Sequence, residues 1–125
     1  MFLKGKTALV TGSTSGIGLA YAEALADEGA NVMINGFGDA AAIEAARAGL
    51  EARHGVKAAY SGADLTRVDE IEAMMKAAAD TFGAVDILIN NAGMQHVAPV
   101  DRFPVDKWDL IIALNLSAVF HTIRL

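Results

Sequence analysis

The sequence predicts an α/β fold, a doubly wound parallel sheet with helices on both faces. Three observations predict it. Short apolar runs alternate with stretches in which apolar residues recur at helical spacing. The first run enters a glycine-rich turn, Thr11-Gly12-Ser13-Thr14-Ser15-Gly16-Ile17-Gly18, that opens directly into a helical pattern. The fourth run ends in two amides and two small residues, Asn90-Asn91-Ala92-Gly93. Such β-α repetition requires right-handed crossovers, and these place helices on both sides of the sheet.

Each element has its own signal. Lys6 to Val10 reads as the first strand. Ile17, Ala20, Tyr21, Ala24 and Leu25 recur at helical spacing, and Gly29 ends that helix. Asn31 to Asn35 is the second strand, followed by a Gly36-Phe37-Gly38 turn. Asp39 is a candidate N-cap for a helix reaching about His54-Gly55. Lys57 to Ser61 is the third strand. Thr66 starts the next helix, with Asp69 at capping-box spacing and Val68, Ile71, Met75, Ala78 and Phe82 as its buried stripe. Val85 to Asn90 is the fourth strand. A loop through Pro99 and Pro104 leads to a last helix carrying Trp108, Ile111 and Ile112 on one face. The expected strand order is 3-2-1-4, within one domain of residues 1–125. Ligands bind such sheets at the switch point between strands 1 and 4, and both rims of that crevice carry the unusual residues.

Composition narrows the function. The chain has 125 residues, 54% of them hydrophobic, enough for one domain with a core. The net charge is −5 and the pI about 5.0, with lysine and arginine scattered, so neither nucleic acid nor anionic lipid is an expected partner. The absence of cysteine excludes disulfides and thiolate metal sites and suits a cytoplasmic protein. No metal site is expected, because His54, His96 and His121 are far apart. No apolar run reaches the roughly 20 residues of a membrane span, and the N-terminus lacks a signal-peptide core, so no membrane role is expected.

The glycine turn is a candidate phosphate cradle. Its spacing is G-x-x-x-G-x-G. One glycine permits the tight turn, one lets backbone approach a pyrophosphate, and one lets the helix pack close to the strand. The helix offers free N–H groups and its positive dipole end to an anion. A P-loop does not fit, since Leu19-Ala20 follows Gly18. The plain alternative is a strand-to-helix turn with no ligand.

Further along, Asn91 and its neighbours make either an ordinary turn or a close approach for a cofactor, with an amide holding strand or ribose. Asp64, in Ala63-Asp64-Leu65, could be a helix cap. Asn115 lies in register with Trp108, Ile111, Ile112 and Val119, on the apolar face of the last helix. A buried amide there requires a specific partner, or bonds a neighbouring helix carbonyl. Gln95 and His96 follow the amide turn, and either could bond a small carboxylate or simply be solvated.

Thr11–Gly18, Asp64, Asn90–Gly93 and Asn115, in this order and spacing, resemble the short-chain dehydrogenase/reductase family. The resemblance covers essentially the whole chain and implies a Rossmann-type sheet and a nicotinamide cofactor. It assigns Thr11, Gly12, Ser13, Ser15, Gly16, Ile17 and Gly18 to the cofactor loop. It makes Asp64 and Leu65 adenine contacts, and Asn91, Ala92 and Gly93 contacts on the adenosine side. It makes Asn115 a catalytic residue that bonds backbone and a water in a proton relay. NAD is the expected form. The rule wants an acidic residue after strand 2 for a ribose diol, or an arginine for a 2′-phosphate. Asn35-Gly36-Phe37 falls there, with neither acid nor cation; Phe37 could pack on adenine, and Asp39 could reach the ribose or cap its helix.

Asn35–Asp39, Met94–Val100 and Phe103–Trp108 are most similar to the family's D-3-hydroxybutyrate dehydrogenase branch. That implies a small hydroxy-acid substrate, with Gln95 holding its carboxylate, and a homo-oligomer, a tetramer in intact members. The family's chemistry also uses a serine and a Tyr-x-x-x-Lys. Here Tyr21 and Tyr60 are followed four residues later by Leu25 and Asp64. The sequence therefore reads as the truncated N-terminal half of such an enzyme, inactive alone. A non-catalytic dinucleotide-binding module, or a reductase for acyl or sugar substrates, is the alternative.

Overall fold

The computed structural model describes all residues from Met1 to Leu125. Its strands are β1 (Thr7–Val10), β2 (Asn31–Asn35), β3 (Ala58–Ser61) and β4 (Ile87–Ile89). Between them lie helices α1 (Gly16–Asp27), α2 (Ala40–His54) and α3 (Val68–Phe82). The four strands form one parallel sheet in the order β3-β2-β1-β4, as the sequence predicts. In register, Leu9 stands opposite Met33 on one side and Leu88 on the other.

Both faces of the sheet are covered. Val10, Val32 and Ile34 pack with Ala22 and Ala26 of α1 and Leu50 of α2. Leu9 and Met33, pointing the other way, pack with Ile71, Met74 and Ala78 of α3 and with Ala118. Successive strand residues face opposite sides, so both faces must be apolar, and the strands read as continuous apolar runs.

The structure corrects several local expectations. On α1 the buried residues are Gly18, Ala22 and Ala26, whereas Ile17 is 73% exposed and Tyr21 is 46% exposed. Close packing on the sheet selects the smallest side chains for the inner face, so Ile17 and Tyr21 turn outward while Leu25 packs at the edge of the core. The third helix starts at Val68 behind Arg67, and no capping box forms between Thr66 and Asp69. Instead Thr66 donates its N–H and hydroxyl to Asp64 at 2.9 and 2.7 Å, and the Asp64 N–H donates to Glu70 at 2.9 Å. Within α3, Met74 is buried and Val68 is exposed. β4 is shorter than expected at both ends, and at its carboxyl end the Asn91 N–H turns back to the Ile89 carbonyl at 3.1 Å. Asp39 does cap α2, accepting the Ala42 N–H at 2.9 Å.

The last helix is continuous over 105–124 but not uniform. It comprises α4 (Val105–Ile112), a π-type turn (Ala113–Ser117) and α5 (Ala118–Arg124). The Ala118 N–H reaches back five residues to the Ala113 carbonyl, which marks the bulge. No helix is long and apolar enough to cross a membrane.

Candidate functional site

The carboxyl ends of β1 and β4 are stitched together around Thr11. Its hydroxyl accepts the N–H groups of Asn91 and Ala92 at 3.0 and 2.9 Å, and its own N–H donates to Ile89 at 3.0 Å. The Asn91 side chain donates to the Gly12 carbonyl at 3.0 Å. Gly12 has φ +60, and a Cβ there would stand 2.9 Å from the Ala92 Cα. At Gly18 a Cβ would meet the Gly12 carbonyl and lie 2.6 Å from Asn91 Nδ2. The Asn91 amide is thus wedged between the Gly12 carbonyl and Gly18, where only glycine leaves room for it, while a side chain at Gly12 would meet Ala92.

This wedge sets the start of α1 at the rim of the cleft. Ser15 precedes the helix in extended conformation and makes no side-chain cap bond. The first helical bond is donated by Leu19 to Ser15 at 3.2 Å, so the N–H groups of Gly16, Ile17 and Gly18 have no helical partner. The first turn holds no acidic residue that would repel an anion. A Cβ on Gly16, at φ +59, would meet nothing within 4 Å, so the space above that backbone is open.

The cleft measures about 530 Å³, a volume typical of small-molecule sites. Gly12, Ser15, Phe37, Asp64, Leu65, Asn91, Ala92 and Gly93 line it, bringing together residues from four separate segments. Gly16 and Ile17 sit at the exposed helix start beside it. Thr11, Ser13 and Gly18 lie buried beneath, with both hydroxyls engaged: Ser13 donates to the Val10 carbonyl at 2.6 Å. Asp64 is the only charged residue in the lining. The hydroxyl and then the N–H of Thr66 hold its carboxyl below the ordinary value of 3.8. No lysine or arginine lines the cleft.

Asn115 is exposed, not buried as expected. Its partner is nevertheless specific: Oδ1 accepts the Met94 N–H at 3.0 Å, and Nδ2 donates to the Met94 carbonyl at 2.8 Å. The bulge in the helix centres on this residue. Met94 lines the cleft, while Gln95 and His96 stand exposed on the following loop, the His96 ring edge-on to Phe103 at 5.4 Å. Three contributions escaped the sequence reading. Asn35 lines the cleft from inside, Thr14 bonds the Phe37 carbonyl at 3.1 Å, and Leu110 and Leu114 supply an apolar wall. Only the last had a visible signal, their spacing of one helical turn.

The model of the short chain dehydrogenase family matches residues 6–125. The chain belongs to the short-chain dehydrogenase family. Family members carry out oxidoreductase chemistry, and several similar ones are named for their substrates. A D-beta-hydroxybutyrate dehydrogenase of Cupriavidus necator is 58% identical over 98% of this chain and 47% of its own length. One from Rhizobium meliloti is 50% identical over 95% of this chain and 46% of its own. The chain spans about half the length of these curated relatives. A short-chain dehydrogenase from Burkholderia cenocepacia in complex with NADP superposes with TM-score 0.93 at 36% identity, over 99% of this chain and 50% of that one.

Proposed function

We propose that these residues form the dinucleotide-binding part of an NAD-dependent D-3-hydroxybutyrate dehydrogenase. One observation carries the cofactor reading. The Asn91 wedge sets the free N–H groups at the start of α1 beside an open cleft that Asp64 and Leu65 also line. That arrangement suits a diphosphate at the helix start and an adenosine end at Asp64 and Leu65. The absence of lysine and arginine from the lining favours NAD, since a 2′-phosphate would meet no cation and one carboxylate.

Bound NAD would supply a hydride acceptor. The chain's own residues bind and orient. Gly12, Gly16 and Ile17 offer backbone to the diphosphate, and Phe37 and Leu65 offer apolar surface. Asn115 holds Met94 and through it the loop bearing Gln95 and His96, which are placed to take a small carboxylate. The family resemblance gives Asn115 its part in the proton relay. The tyrosine, lysine and serine of that relay have no counterpart at the required spacing in these residues, so we assign them no turnover alone. The homo-oligomer rests on the family resemblance, and exposed Leu116, Phe120 and Ile123 give the last helix an apolar face.

The test joins these residues to the remainder of the Cupriavidus necator relative. The chimera should reduce NAD with D-3-hydroxybutyrate, Gln95→Leu should raise KM more than it lowers kcat, and the 125 residues alone should form no NADH. A chimera that binds NAD but acts only on acyl or sugar substrates would refute the substrate assignment.

A further inference from the structure

Asn35 is the last residue of β2 and only 1% exposed, yet its atoms reach two other segments. Its Oδ1 accepts the Gly12 N–H at 3.2 Å. Its Nδ2 donates to the carbonyls of Ser61 and Ala63, both at 3.1 Å. Its backbone N–H donates to the Ser13 hydroxyl at 3.0 Å, and its carbonyl accepts the Ser13 N–H at 2.6 Å. Both amide hydrogens and the amide oxygen are therefore committed. The loop after β1 and the segment after β3, opposite walls of the cleft, meet on one side chain.

We propose that Asn35 is a positioning residue that couples the phosphate loop to the wall at Ala63 and Asp64, so that filling one wall orders the other. The proposal rests on the dinucleotide reading, with diphosphate at the loop and adenosine at the far wall. The geometry accounts for an amide where strand ends of this kind often present a carboxylate to ribose. An aspartate here would turn the donor into an acceptor facing two carbonyls. Ionised, it is repelled by both; protonated, it has one hydrogen for two acceptors.

Two walls tied through one residue share their ordering cost. A ligand that restrains the loop at Gly12 restrains the far wall through the bonds of Asn35, so the second ligand finds its wall already set, which is positive coupling. The coupling is reciprocal by thermodynamic necessity.

Calorimetry on the 125-residue chain with adenosine and inorganic pyrophosphate as separate probes reads this directly. Each should tighten the other by the same factor, about threefold or more. Asn35→Asp should weaken NAD by about tenfold and abolish the mutual tightening. Independent binding of the two probes to the wild-type chain overturns the coupling, even if the variant fails to fold. NAD binding by Asn35→Asp as tight as wild type also overturns it, and points to direct contact between this position and ribose. Failure of the wild type to bind NAD at all overturns the dinucleotide reading and the coupling with it.

Discussion

Asn115 and Met94 are tied by two hydrogen bonds, side-chain amide to backbone N–H and carbonyl, at 3.0 and 2.8 Å. The pair joins the last helix, at its π-type turn, to the loop that leaves β4. An amide group is the side-chain end that can both accept and donate in this way. Asn115→Asp keeps the acceptor and sets its second oxygen against the Met94 carbonyl. Stability should fall by about 1–2 kcal/mol, and the Met94 amide should exchange faster with solvent. Urea denaturation with hydrogen exchange measures both; an unchanged exchange rate at Met94 would show that other contacts hold the loop.

Gly18→Ala offers a test of sign. In a helix, alanine is ordinarily favoured over glycine by roughly 0.5–1 kcal/mol. Here the added Cβ meets the Gly12 carbonyl and the Asn91 amide, neither of which can move without breaking the β1–β4 junction. The variant should be destabilised by about 1–3 kcal/mol. A stabilised variant in thermal denaturation would refute the wedge.

Ser15→Asp should separate stability from binding. Ser15 caps α1 without a side-chain bond, so an aspartate can cap the helix and complement its dipole, adding about 0.5–1 kcal/mol. The same carboxylate faces the proposed diphosphate position and should weaken NAD several-fold. Thermal melts and NAD titration should therefore move in opposite directions.

The acid side of the stability curve should depend on Glu23. Burial raises its carboxyl, but hydrogen bonds and charges from His54 and Arg53 outweigh that and hold it below its ordinary 4.5. His54 Nε2 lies 2.7 Å from one carboxylate oxygen, and Arg53 bonds the other. A lowered folded value means the contribution is complete above 4.5 and is lost as pH falls through the folded value. Glu23→Gln should cost roughly 0.5–1 kcal/mol near neutrality and flatten the acid limb of urea midpoints against pH. An unchanged limb would place the acid sensitivity elsewhere.

The fold was legible because it rests on local patterns. Continuous apolar strands, a glycine turn and the Asp39 cap each act within a few residues, and together they define the sheet and its crevice. The failures have a common physical origin in contacts between distant segments. Asn35 reads as one more strand-end residue until the end of β3 and the segment after it deliver two carbonyls, 26 and 28 residues away. The inner face of α1 is chosen by close approach to the sheet, which hydrophobicity does not report. Asn115 lies on the apolar stripe by helical count, but the π-type turn inserts an extra residue and rotates that count.

Calorimetric titration of the chain with NAD and with NADP tests the cleft most directly. NAD should bind saturably. NADP should bind about tenfold more weakly, because its added phosphate brings negative charge to a lining with no cation and one carboxylate. NADP binding as tight as NAD, or no binding of either, would contradict this reading of the site.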